Sequence, residues 1–98
     1  MAWLITFEDE PTKVGLRATH GDRHVAYVRS IAPHVLCAGG LREAPDGQQV
    51  GGMWILDVAT REEAMALFQA DPFFAGGLRA NVRVRHWTKG VWEGKLAG

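Results

Sequence analysis

In "MWILDVATREEAMALFQADPFFAGGL", residues 53 to 78, three local patterns follow one another. Met53 to Val58 is an apolar run of strand length, too short for a buried helix. It is apolar on both faces, with Trp54 and Leu56 to one side and Met53 and Ile55 to the other. Thr60 then offers an N-cap oxygen, and Glu63 three residues on completes a capping box. Ala64, Leu67 and Phe68 recur at helical spacing and form the face this helix buries. Pro72 and the pair Gly76-Gly77 end it. Asp71 stands out in this reading. It sits at the C-terminal end of the helix, where the macrodipole disfavours negative charge, and two phenylalanines follow it in what ought to be a polar turn.

The remaining elements fall on either side. Upstream, Val35 to Leu41 reads as a small-residue strand, joined to the first by "REAPDGQQVGG" with its Pro-Asp-Gly turn signal. Before it, Val25, Val28, Ile31 and Ala32 have helical spacing within a segment from about Leu16 to Pro33. Asp22 offers an N-cap for that helix; a helix that starts earlier carries Gly21 as a weak point. Trp3 to Phe7 alternates as a strand, with Trp3, Ile5 and Phe7 on one side. Downstream, Val82, Val84 and His86 alternate with Arg83, Arg85 and Trp87 in a fourth strand, while "GVWEGKLAG" shows no pattern. The order β-α-β-β-α-β is the ferredoxin-like α+β plan, a four-stranded antiparallel sheet with two helices on one face. The other face is bare, yet the strand at Met53 to Val58 is apolar there too. A second copy, sheet against sheet, is the simplest cover, so the sequence predicts a homodimer through the open sheet face.

Composition narrows the function. Residues 1–98 make one domain with 47% apolar and 22% charged residues, which is ordinary globular usage. Eleven basic and eleven acidic side chains cancel, which argues against nucleic acid and against an anionic membrane. "GGMWILDV" does not fit the aromatic stacking platform of an RNA-binding sheet. The N-terminal "MAWLITFEDE" has no basic region of a signal peptide, and no apolar run approaches the length of a membrane span. The single cysteine, Cys37, leaves no internal disulfide and fits a reducing cytoplasm.

The plan also suggests a partner for Asp71. The strands that precede the two helices run in opposite directions, so the helices lie antiparallel. The end of the second helix therefore meets the first half of the first, which carries "DRHVAYV". That brings Asp71 near His24. A carboxylate facing an imidazole fixes its tautomer and orients it as a general base, and Phe73 and Phe74 would strengthen the coupling by lowering the local dielectric. The plainer alternatives are a structural His–Asp bond tying two helices together, or an Asp that opens a turn.

"DRHVAYV", "CAGGLRE" and "ADPFFAGGL", in this order over nearly the whole chain, resemble the YCII-related family of small ferredoxin-like proteins. His24 matches the family's histidine ahead of an aromatic. Asp71 matches its aspartate, with Pro72 and Phe73 beside it. The resemblance implies a dimeric α+β barrel with a His–Asp active site. It further implies a lyase-like or dehydrochlorinase-like reaction on small cyclic or aromatic compounds. A non-catalytic ligand-binding or accessory module on the same fold is the alternative.

Tyr27 and Phe73 are candidate walls of a substrate pocket, and Gly39 and Gly40 leave room for a ligand. His20 and His24 are four apart, a metal-ligand spacing on a continuous helix, but a helix that starts between them spoils it. No metal, flavin, nicotinamide or other cofactor is expected. His34 reads as a surface residue, His86 as an interior histidine and Cys37 as an inert core thiol. The four tryptophans read as core and dimer packing.

Overall fold

The computed structural model describes residues 2–96. Its elements in chain order are β1 (Ala2–Asp9), α1 (Leu16–Ile31), β2 (Val35–Arg42), β3 (Gln49–Asp57), α2 (Arg61–Gln69), the one-turn α3 (Pro72–Ala75) and β4 (Arg79–Trp87). A small hairpin of β5 (Val91–Trp92) and β6 (Lys95–Leu96) follows. The main sheet has the order β2-β3-β1-β4 with all neighbours antiparallel, as the ferredoxin-like plan requires.

The core follows from strand alternation. Trp54 lies opposite Ile5, and Ile5 opposite Val84, so their side chains share one face. Ile5, Phe7, Trp54 and Leu56 meet Ile31 of α1 and Ala64 and Phe68 of α2 there. The Phe68 ring packs on Phe7, Trp54 and Phe74 at centroid distances of 5.0–5.7 Å. Gly52 fits under Phe7 because a Cβ would stand 2.6 Å from the ring and 2.8 Å from the Gly39 carbonyl. The capping pair is present in a shifted form: Thr60 Oγ1 accepts from Glu63 N–H at 3.1 Å, while Glu63 Oε2 accepts from the N–H of Ala59, one residue before the N-cap, at 3.0 Å. The opposite face of the sheet presents Leu4, Cys37, Met53 and Ile55, with Arg83 and Arg85 on β4. Among the described residues, no helix is long and apolar enough to cross a membrane.

Of the two helix starts the sequence offers, the structure takes the earlier: α1 begins at Leu16 and runs straight through Gly21. Three sequence expectations are corrected. Cys37 is exposed, because β2 is an edge strand and the thiol lies on its uncovered face. His86 is exposed too, near the end of the other edge strand, with its ring edge-on to Trp3 at 5.1 Å. The C-terminal stretch is ordered into β5 and β6, where Trp92 packs on Trp87 at 5.8 Å under Lys89.

Candidate active site

Helix α2 stops at Gln69 with Ala70 as its cap, and Asp71 follows in extended conformation with φ −66° and ψ 131°. The Asp71 carboxylate accepts from the Phe73 N–H at 3.0 Å, which makes it the N-cap of α3. Pro72 occupies the first helical turn, where its missing N–H costs nothing. The sequence reading of Asp71 as a residue at the unfavourable end of α2 is thus corrected. It opens the next helix, where an acceptor is wanted.

Helix α1 lies alongside and presents His24. Its Nδ1 is 2.9 Å from both Asp71 oxygens. Asp71 is fully buried, whereas the His24 side chain keeps 22% of its surface exposed. Phe73 stacks on the imidazole with centroids 4.2 Å apart and planes 16° from parallel. A carboxylate can only accept, so Nδ1 donates and Nε2 holds the free lone pair of the neutral ring.

A permanent cation reaches the same carboxylate. Arg79, at the start of β4, donates from Nη2 to Asp71 Oδ2 at 3.2 Å, and its side chain is only 2% exposed. Its guanidinium lies over the rings of Phe7 and Phe73, 4.1 and 5.1 Å from their centroids. Its Nη1 is 3.9 Å from Oδ1 of Asp9, whose other oxygen accepts from Arg17 at 2.6 Å. Charges therefore alternate along Arg17, Asp9, Arg79 and Asp71, and the His24 ring stands at the end of the row. Burial by itself would raise the Asp71 carboxyl, but hydrogen bonds from His24 and the Phe73 N–H, with the charges of His24 and Arg79, outweigh it. The carboxyl is held below its ordinary range. Burial lowers the Arg79 guanidinium from its usual value, and Asp71 counters part of that effect.

The orientation of Arg79 comes from a β-bulge. Along β1, Trp3, Ile5, Phe7 and Asp9 share the helix-facing side. On β4, Arg83 and Arg85 face the opposite side, and simple alternation would send Arg79 with them. Between Thr6 and Glu8 the register shifts, because three residues of β4 span two of β1. Asn81 absorbs the extra residue at φ 49°, with its amide donating to Glu8. Arg79 is thereby turned to the helix side, opposite Asp9.

These groups border a cavity of about 250 Å³. Arg17, His24 and Arg79 line it from the α1 and β4 side, and Gly39, Gly40 and Gln49 from the edge strand β2 and the start of β3. Phe7 and Trp54 lie between them on the central strands. Gly40 gives the Gln49 carboxamide its space, since a Cβ there would stand 2.5 Å from it.

Of the residues expected from sequence, His24, Asp71 and Phe73 come together, and His24, Gly39 and Gly40 border the cavity. Phe73, expected as a pocket wall, is not among the residues lining it: the ring is buried and stacked on His24. Tyr27 points elsewhere: its hydroxyl donates to the Leu67 carbonyl at 2.5 Å and braces α1 against α2. Burial, and secondarily the Asp71 charge, raise the Tyr27 hydroxyl above its ordinary value. His20 and His24 do share one helix, but His20 bonds to Thr19, and no group of three metal-ligating side chains occurs among the described residues. Asp9, Arg17, Gln49 and Arg79 escaped the sequence reading. Two signals were available. Asp9 continues the buried parity of β1, and Arg17 stands seven residues, about two turns, before His24.

The YCII-related domain profile matches residues 1–88. Among solved structures, this chain is similar to the 5-chloro-2-hydroxyhydroquinone dehydrochlorinase from Burkholderia phenoliruptrix AC1100, determined in complex with 2,5-dihydroxybenzoquinone. The TM-score is 0.82 at 26% sequence identity, and the match covers 92% of this chain and 96% of that one. No curated protein sequence matches the chain.

Proposed function

We propose that this chain, which belongs to the YCII-related domain family, is a lyase-like enzyme acting on small cyclic or aromatic compounds. His24 is the general base and Asp71 its orienter. The observation that carries this reading is the setting of His24. Its Nδ1 is locked on a buried carboxylate, and its ring borders a cavity of about 250 Å³. That volume lies below the range of drug-sized pockets and suits a single substituted ring.

In the proposed step, Nε2 of His24 takes a proton from an acidic hydroxyl or C–H group of the substrate. The imidazolium forms beside Asp71, which stabilises it. The electron pair released by the proton moves into the ring and expels a leaving group with its bonding pair, so the elements of HX are removed without redox change. Arg17 is held by Asp9 through Nε and Nη2. Its remaining N–H groups stabilise the oxyanion that develops on the substrate. Gly39 and Gly40 shape the space for the ring, Phe73 supports the His24 imidazole by stacking on it, and Tyr27 keeps α1 and α2 in register. The step as written calls for no metal, flavin or nicotinamide. The kinship to a dehydrochlorinase whose complex holds a dihydroxybenzoquinone supports the substrate class. A homodimer through the uncovered sheet face, and a reducing cytoplasmic setting suited to the free thiol of Cys37, belong to the same reading.

The test is turnover of a panel of chlorinated hydroxyhydroquinones, followed as chloride release. His24→Ala and Asp71→Asn are expected to lower kcat/KM by roughly 10²–10⁴-fold. Retained turnover in both variants removes the dyad from the mechanism. Ligand-induced thermal stabilisation without turnover of any compound favours the non-catalytic binding module instead.

A further inference from the structure

We infer that Arg79 is a positioning residue of the dyad: it shares the Asp71 carboxylate with His24 and limits how strongly that carboxylate draws a proton onto the ring. The inference rests on the reading of His24 and Asp71 as a working dyad. It begins from the sharing of a single oxygen. Asp71 Oδ2 lies 2.9 Å from His24 Nδ1 and 3.2 Å from Arg79 Nη2, while Oδ1 also serves the Phe73 N–H.

A guanidinium cannot lose its proton in a protein, so its charge is permanent. At 2% exposure it is hardly screened by solvent. A buried carboxylate with an imidazole as its only cationic partner stabilises the imidazolium strongly. An imidazolium has no lone pair at Nε2 and cannot act as a base. A fixed positive charge on the same oxygen opposes the second charge and keeps the ring available in its neutral form.

The surroundings hold Arg79 to this task. The guanidinium packs on the rings of both Phe7 and Phe73, and its Nη1 lies 3.9 Å from Asp9, itself bound to Arg17. The Nε of Arg79 and Oδ1 of Asp9 are buried without hydrogen-bond partners. A buried donor left unmade detracts from stability, so tightening the fold is a poor account of this arginine. Asp71 at the α2–α3 junction bonds to the His24 ring, and Arg17 of α1 and Arg79 of β4 share its cavity. Asp9 of β1 reaches those two arginines, and His20 and Tyr27 lie about one turn away on α1. Of the two arginines, Arg79 bonds to Asp71 and Arg17 bonds to Asp9.

The experiment is an NMR titration of the His24 ring in ligand-free wild type, Arg79→Met, Arg79→Lys and Asp71→Asn. In Arg79→Met the midpoint is expected to move up by about one pH unit. In Arg79→Lys, which keeps the charge, it stays close to wild type. The acidic limb of the pH–rate profile moves with it. An arginine that only braces the fold would lower stability in both variants and leave the midpoint in place, and that result overturns the inference. Should Arg79→Met fail to fold, Arg79→Gln removes the charge and keeps a donor for Asp71. The titration needs no substrate, so the two ideas fail separately. A midpoint moved by Asp71→Asn but not by Arg79→Met overturns the role of Arg79 alone. A midpoint moved by Arg79→Met in a protein without turnover supports the coupling and overturns the catalytic reading.

Discussion

Asp71 accepts from the Phe73 backbone, from His24 and from Arg79, while no part of it meets solvent. Such a carboxylate ties folding to pH. Its folded pKa lies below its ordinary value, and the unfolded value is about 4. The unfolded chain therefore binds the proton first as the pH drops. The stabilisation is complete above about pH 4 and is lost as the pH falls through the folded value. Urea unfolding should show wild type more stable than Asp71→Asn by about 3 kcal/mol at neutral pH, the typical cost of removing one partner from a buried pair. The gap should narrow as the pH falls through the folded value. A gap that stays constant into strong acid would mean that the charge on Asp71 does not stabilise the fold.

At the scale of the element, α1 does two jobs with one stripe. Arg17, His24, Val28 and Ile31 follow at intervals of seven, four and three residues, so one face borders the cavity with its first half and enters the core at its end. Gly21 lies on the same stripe, inside the helix, with open space where a Cβ would stand. Gly21→Ala should therefore stabilise the protein by about 0.5–1 kcal/mol, read as a higher urea midpoint. A lower midpoint would show that the glycine answers a packing demand. Asp22 mimics a helix start because Asp favours N-caps, but tertiary packing carries the helix about two turns further back. The short α3 gives the converse case: Asp71 really is a cap there, for a helix too short for periodicity to reveal.

At the scale of the molecule, the sheet face away from the helices remains. Leu4, Met53 and Ile55 lie there on central strands, Leu4 and Met53 half-buried and Ile55 buried. Sedimentation should give about twice the chain mass of 10.8 kDa. Leu4→Asp, which puts a charge in the middle of this face, should shift the protein toward monomer. A wild type that sediments as a monomer at micromolar concentration would remove the dimer. The order of the elements, the capped second helix, the bare face and the meeting of His24 with Asp71 were all legible in the sequence. They depend on period, cap chemistry and right-handed connection, which act over a few residues or follow from topology. The arginines of the site were not legible in this way. Asp9 and Arg79 are seventy residues apart and meet only because the bulge at Asn81 shifts β4 by one residue against β1. Alternation alone assigns Arg79 to the opposite face. By itself, the sequence determined which histidine and which aspartate would face each other. Only the tertiary structure decided the charge beside them, because strand register is set by pairing between distant segments, and one extra residue reverses which face a side chain takes.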